Sequence, residues 1–141
     1  MATTSTDESR GIAVVTGAAG GIGGAIVTRL VARGFRVAAL DRDIDALGSL
    51  YASSDGVRCF AIDVTNHARV VDVARVIEAE LGAVVALVNN AGVFIRTPAL
   101  GYDEADVARV LATNLAGALS CTSAFCAAMR SEERRVGKEC R

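Results

Sequence analysis

The chain has 141 residues, 52% of them hydrophobic and 22% charged, with a formal net charge of −1. That length supports one domain with a real core and is too short for two, and the near-neutral charge gives no electrostatic reason to bind nucleic acid or an anionic membrane. No apolar run approaches the length of a membrane span and no basic region followed by an apolar one opens the chain, so neither an anchor nor a signal peptide is expected and the protein reads as cytoplasmic. The four cysteines, Cys59, Cys121, Cys126 and Cys140, form no CxxC pair and are expected to be reduced, mainly buried thiols. The one histidine, His67, falls early in a predicted helix as a solvated or capping residue, so no metal site is expected.

Residues 1–10 are rich in Ser and Thr without periodicity and read as a mobile tail. An apolar strand over residues 12–15 then runs into Thr16-Gly17-Ala18-Ala19-Gly20-Gly21-Ile22-Gly23, and a helical pattern follows with Ile22, Ile26, Val27 and Leu30 on one face. This is the spelling of the first βα unit of a dinucleotide-binding fold. Gly17 lets the chain turn sharply, and Gly21 and Gly23 remove Cβ atoms that would hold the backbone away from a pyrophosphate. The helix that opens over Gly20, Gly21 and Ile22 turns its free N–H groups and positive dipole end toward negative charge. The plainer alternative is a glycine-rich turn that only connects strand to helix.

Gly34 closes that helix, and residues 36–41 read as a second buried strand ending in Asp41. Asp41 lies a little over twenty residues beyond the first glycine, where this fold places the group that meets the adenosine ribose. A carboxylate there accepts hydrogen bonds from the 2′-OH and repels a 2′-phosphate, so NAD is expected over NADP. The alternative makes Asp41 the N-cap of the next helix, residues 44–53, although Asp43 is better placed for that. Residues 57–62 form a third strand with Asp63-Val64-Thr65 at its carboxyl end, the edge at which open parallel sheets bind ligands. Residues 66–81 read as an amphipathic helix with Val70, Val73, Ala74, Ile77 and Leu81 inward, capped by Thr65 and stopped by Gly82. Residues 84–88 are apolar throughout, as a strand covered on both faces should be, and run into Asn89-Asn90-Ala91-Gly92.

Beyond the only proline, Pro98, residues 102–111 are helical in pattern, with Asp103, Glu104 and Asp106 loading the first turn with negative charge. Thr113-Asn114-Leu115-Ala116-Gly117 leads into a second, almost uncharged helical stretch that ends near Met129 and is apolar on most sides. Something must bury it.

In spelling and order, the TGxxxGIG turn, the acid Asp41, the Asp63-Val64 pair and the Asn89-Asn90-Ala91-Gly92 segment resemble the short-chain dehydrogenase/reductase family, over about residues 12–129. The turn alone also fits the TGxxGxxG of that family's longer, epimerase-like branch through Gly17, Gly20 and Gly23; the segment at Asn89 decides for the shorter branch. The resemblance implies an α/β fold of Rossmann type over residues 11–129, a doubly wound parallel sheet with strand order 3-2-1-4. It also implies a nicotinamide dinucleotide, NAD before NADP, held in the turn by Gly17, Ala19, Gly20, Gly21, Ile22 and Gly23 and at the ribose by Asp41. Asp63 and Val64 would contact the adenine, Asn90, Ala91 and Gly92 would line the groove, and Asn89 would brace the central strands.

Asn114 would be the active-site asparagine, whose helix bend exposes a carbonyl to the water of a proton relay; the alternative is a polar interruption in a core helix. By the same resemblance, the face over residues 119–128 would help form the subunit interface of a dimer or tetramer. The implied chemistry is hydride transfer between the nicotinamide and a carbonyl or secondary alcohol of a small molecule, such as a 3-oxoacyl reductase-like or alcohol dehydrogenase-like activity. In that family a serine polarises the substrate oxygen, and a YxxxK segment supplies the proton-transferring tyrosine and its lysine. No such segment occurs here: Tyr51 and Tyr102 each have an aspartate four residues on, and Lys138 has Arg134 four residues before it. The chain therefore reads as the N-terminal portion of such an enzyme, with most of a cofactor site and no complete active site. The alternative is a dinucleotide-binding regulator without turnover, against which Asn114 argues. Residues 130–141 contain the only lysine, lack a strand or helix period, and resemble a sequencing-adapter oligonucleotide translated in frame; they read as a non-native tail.

Overall fold

Short, largely unbroken apolar runs in four segments, and apolar residues three to four apart in the segments between them, dictate alternating strands and helices. The computed structural model describes residues 10–96, 98 and 100–139. Its elements are β1 (Ile12–Thr16), α1 (Gly21–Ala32), β2 (Arg36–Asp41), α2 (Ile44–Tyr51), β3 (Val57–Ala61), α3 (His67–Leu81), β4 (Val84–Val88), α4 (Glu104–Leu111), a π-helical turn (Ala112–Gly117) and α5 (Ala118–Glu139). The four strands are parallel in the order β3-β2-β1-β4, with Val14 beside Ala38 and Val15 beside Val88. After β3 the chain crosses to the far side of β1. The strand order reverses between β1 and β4, and the carboxyl ends of the strands open a crevice there.

Alternation along the strands sends side chains to two cores. Ile12, Val14, Ala38 and Leu40 cluster with Val70 and Ile77 of α3 and with Cys121 and Phe125 of α5. On the opposite face Val15, Val37 and Ala39 cluster with Val27 of α1 and Leu47 of α2. Each Val, Leu, Ile or Phe among them contributes about 1.5–3 kcal/mol when fully buried, so the sheet is held from both sides. Burial also pushes the Cys121 thiol up to about 11.

Several local expectations are corrected. Ile22 does not join the inward face of α1; it is 74% exposed, while Val27 is buried. The residue one turn before Val27 is Gly23, itself buried, so Ile22 is rotated off the core side. The N-cap of α3 is Asn66, whose side chain accepts from the Arg69 amide at 3.1 Å. Thr65 lies one residue before that cap, and its hydroxyl donates to Asp63 Oδ1 at 2.7 Å. Helix α2 ends at Tyr51 and β3 at Ala61, each short of the expected boundary. Strand β4 is covered only in part, with Val84 buried and Val85 half-exposed, because β4 is an edge of the sheet among the described residues. Of the described cysteines only Cys121 is buried, and Cys59 and Cys126 are intermediate.

Two corrections concern α5. Its backbone stays helical from Ala118 to Glu139, through the stretch in which no period was legible. Glu, Arg and Lys sustain a helix by backbone propensity alone, without an apolar stripe. The helical stretch Glu104–Ala127 is also long and apolar enough, by length and composition, to cross a membrane. Charges at its start hide this from a search for unbroken apolar runs, and core helices of water-soluble domains pass the same test. Most of the N-terminal tail lies outside the described residues; Arg10 is anchored through its amide to the Gly34 carbonyl at 3.1 Å.

Candidate cofactor site

At the carboxyl ends of the strands a cleft is walled by Gly17, Asp41, Arg42, Val64, Ala91 and Gly92. Gly17 brings the start of the glycine turn into it. Gly17 has φ +66°, a left-handed conformation that a side chain would strain, and a Cβ there would lie 2.9 Å from the Ala91 Cα. A Cβ on Gly23 would overlap the Gly17 carbonyl and come within 2.8 Å of Asn90 Nδ2. Gly21 differs, since a Cβ there would meet nothing within 4 Å of the protein. Its glycine serves something outside the described chain, or nothing. Gly20 caps α1 without a side-chain bond, which leaves the first N–H groups of the helix open to solvent or to an anion.

The acid and the turn are joined directly. Asp41 Oδ2 accepts from the Ala19 amide at 3.0 Å, across 22 residues of sequence, and Oδ1 accepts from the Asp43 amide at 3.2 Å. A carboxylate offers about four lone-pair positions, so capacity remains toward the cleft. Asp41 is not the cap of α2: Asp43 is, accepting from the Ala46 amide at 2.9 Å. Asp63 is exposed at the rim. The Thr65 amide and hydroxyl both donate to its Oδ1, and these bonds hold its carboxyl below the usual range, with Arg42 adding in the same direction against a smaller upward push from burial.

The two asparagines divide their work otherwise than expected. Asn89 Nδ2 donates to Thr122 Oγ1 on α5 at 3.0 Å, tying the end of β4 to that helix. Asn90 braces the strands: its Nδ2 donates to the Thr16 and Gly17 carbonyls, at 3.1 Å each. Adjacent side chains on extended backbone point opposite ways, so only one of the pair can face β1. The backbone of Ala91 and Gly92 forms the cleft wall, and Asn90 stands behind it.

A model of the short chain dehydrogenase family matches residues 11–138. The chain belongs to the short-chain dehydrogenase family. It is 38% identical to a farnesol dehydrogenase of Aedes aegypti over 117 residues, covering 79% of this chain and 48% of that protein. A D-threitol dehydrogenase of Mycolicibacterium smegmatis is 40% identical over 110 residues, covering 75% of this chain and 42% of its own length. Among solved structures, NAD+-bound xylitol dehydrogenase superposes with a TM-score of 0.82 at 32% identity, covering 86% of this chain and 48% of that one. The chain thus spans just under half the length of these relatives.

In this short-chain dehydrogenase chain Asn114 lies inside the π-helical turn between α4 and α5. A π turn inserts one residue and breaks the regular hydrogen-bond ladder. The Asn114 side chain makes two bonds to Val93: Oδ1 accepts from its backbone amide at 2.8 Å and Nδ2 donates to its carbonyl at 3.0 Å. The side chain therefore ties the segment after Gly92 to the helix. The second Nδ2 hydrogen is not used in that pairing.

Sequence reasoning left out two contributors. Thr16 is 1% exposed, and its hydroxyl accepts from the amides of Asn90 and Ala91 at 3.0 Å each. A hydroxyl at the end of an otherwise apolar strand was the available signal. Tyr51 donates to the Ala18 carbonyl at 2.8 Å, a tertiary bond with no mark in local sequence. His67, at the start of α3, shares a 2.8 Å hydrogen bond between Nδ1 and Ser120 Oγ, away from the cleft.

Proposed function

We propose that this chain is the N-terminal portion of a nicotinamide-dependent oxidoreductase that moves hydride between the cofactor and a carbonyl or secondary alcohol of a small molecule, with NAD preferred to NADP. The observation that carries the reading is the Asp41 carboxylate bonded to the Ala19 amide, beside a helix start that no side chain caps. Gly17, Ala19, Gly20, Gly21, Ile22 and Gly23 would cradle the pyrophosphate, and Asp41 would accept from the ribose hydroxyls. Asp63 and Val64 would meet the adenine, with Ala91 and Gly92 lining the groove and Asn90 fixing them from behind. When bound, the nicotinamide supplies or takes the hydride; the π turn at Asn114 would offer a carbonyl to the water that carries the proton. Residues 130–141 are left out of the site as a non-native tail.

Calorimetric titration of the 141-residue chain with NAD and NADP tests this. NAD should bind more tightly by on the order of tenfold, since a 2′-phosphate is brought against Asp41 and the solvated geometry limits the repulsion. Arg42 in the cleft wall offsets part of it. Asp41→Ala should narrow the gap, and a clear preference of the unaltered chain for NADP would overturn the reading.

A companion proposal is that the protein works as a homo-oligomer, dimer or tetramer, in the cytoplasm, where free thiols such as those of Cys59, Cys121 and Cys126 persist. Leu111, Leu115 and Leu119 are exposed along α4, the π turn and α5, as is Phe94 in the segment after β4, and Phe94, Val107, Val110 and Leu111 line a groove there. An apolar stretch of this extent is uncommon on a monomer. Sedimentation velocity on the chain should show associated species; a monodisperse, cooperatively melting monomer would count against the proposal.

A further inference from the structure

Tyr51, the last residue of α2, lies outside the cleft, yet it reaches the glycine turn whose start lines that cleft. Partly buried, it packs against the core cluster between the sheet and helices α1 and α2 that contains Val27 and Leu47. From that fixed position its hydroxyl donates a 2.8 Å hydrogen bond to the Ala18 carbonyl oxygen, 33 residues earlier. The next amide, Ala19 N–H, donates to Asp41 Oδ2 at 3.0 Å. The Ala18 carbonyl and the Ala19 N–H belong to one peptide unit, and a trans peptide is planar with these two groups on opposite edges. One edge of the plane is therefore held by Tyr51 and the other by Asp41. A flip of that plane, which turns ψ of Ala18 and φ of Ala19, would break both bonds at once.

We propose that Tyr51 is a positioning residue of the cofactor site: with Asp41 it locks the Ala18–Ala19 peptide plane, so that the glycine turn is already shaped to receive a pyrophosphate. The inference rests on the cofactor reading above and deepens it. Preorganisation of this kind improves affinity by removing the entropy of ordering the loop on binding. Burial raises the Tyr51 hydroxyl above its ordinary range, with Cys59 and Asp41 adding to it, so the group is a donor at neutral pH.

Tyr51→Phe keeps the ring and removes only the donor. NMR titrations of the 141-residue chain with ADP and with adenosine, paired with a thermal melt and amide exchange in the ligand-free chain, read the consequence. ADP binding should weaken about three- to tenfold, as for a lost hydrogen bond, while adenosine binding is unchanged and Ala19 amide exchange accelerates. A merely structural role would weaken both ligands together, in step with the melting temperature, and that result overturns the proposal. Unchanged ADP affinity or unchanged Ala19 exchange overturns it as well. If the unaltered chain binds neither ligand, the cofactor reading itself fails and takes this inference with it.

Discussion

Gly23→Ala is expected to collapse the glycine turn and to abolish dinucleotide binding, while Gly21→Ala, two residues away, leaves the fold intact. The added methyl at position 23 has nowhere to go. It overlaps the Gly17 carbonyl and lies within 2.9 Å of the Ala18 Cα, both of them backbone, and within 2.8 Å of Asn90 Nδ2, which itself holds Gly17 in place. Overpacking of this kind costs about 1–3 kcal/mol, and more when backbone rather than a flexible side chain must yield. A loss of about 3 kcal/mol is a large fraction of a small domain's stability. Urea unfolding should show the midpoint falling steeply for Gly23→Ala. Gly21→Ala should instead hold or gain up to about 1 kcal/mol, because alanine favours the helix it starts. Its NAD binding should still weaken, because in the proposed cofactor reading the pyrophosphate lies against Gly21 and the new methyl would come between them. Wild-type unfolding and binding for Gly23→Ala would show that the turn is more plastic than its contacts imply.

The second large effect is an absence of turnover. The 141-residue chain should bind NAD and yet produce no change in NADH absorbance with any panel of secondary alcohols or ketones. Hydride delivered to a carbonyl leaves negative charge on oxygen, and a positioned acid must neutralise it. General acid–base catalysis is worth on the order of 10²–10⁴ in rate, and the sequence of this chain contains no Tyr-x-x-x-Lys to supply it. The Asn114 amide, tied to Val93, cannot substitute, because a neutral carboxamide is not a general acid near neutral pH. Turnover that vanishes on Asn114→Ala would mean that a working proton path runs through this turn without the tyrosine, and the proposal would have to be abandoned.

Much of the fold was legible because its signals are local. A strand that ends in glycines and feeds a helix, an acid at the end of the next strand, and helices bounded by Asp43 and Gly82 each depend on residues within a few positions of one another. The 3-2-1-4 order followed from the family resemblance those signals supported, and the sheet has that order. What sequence could not decide was partnership across distance. Asn89 and Asn90 are chemically identical neighbours, and only the placement of β1 and α5 on either side makes one a tie to a helix and the other a brace for Thr16 and Gly17. Ile22 fits the apolar stripe of α1 by spacing, but the close approach of Gly23 to Asn90 and Gly17 sets the rotation of that helix and turns Ile22 outward. Tyr51 reads as the last apolar residue of a helix until the sheet brings Ala18 beneath its hydroxyl. Hydrophobic period and glycine position are properties of a segment, so the sequence by itself determined the elements and the glycine turn. Hydrogen bonds between residues 33 or 74 positions apart exist only once packing has fixed the distances, so the tertiary structure alone decided which polar groups hold that turn in shape.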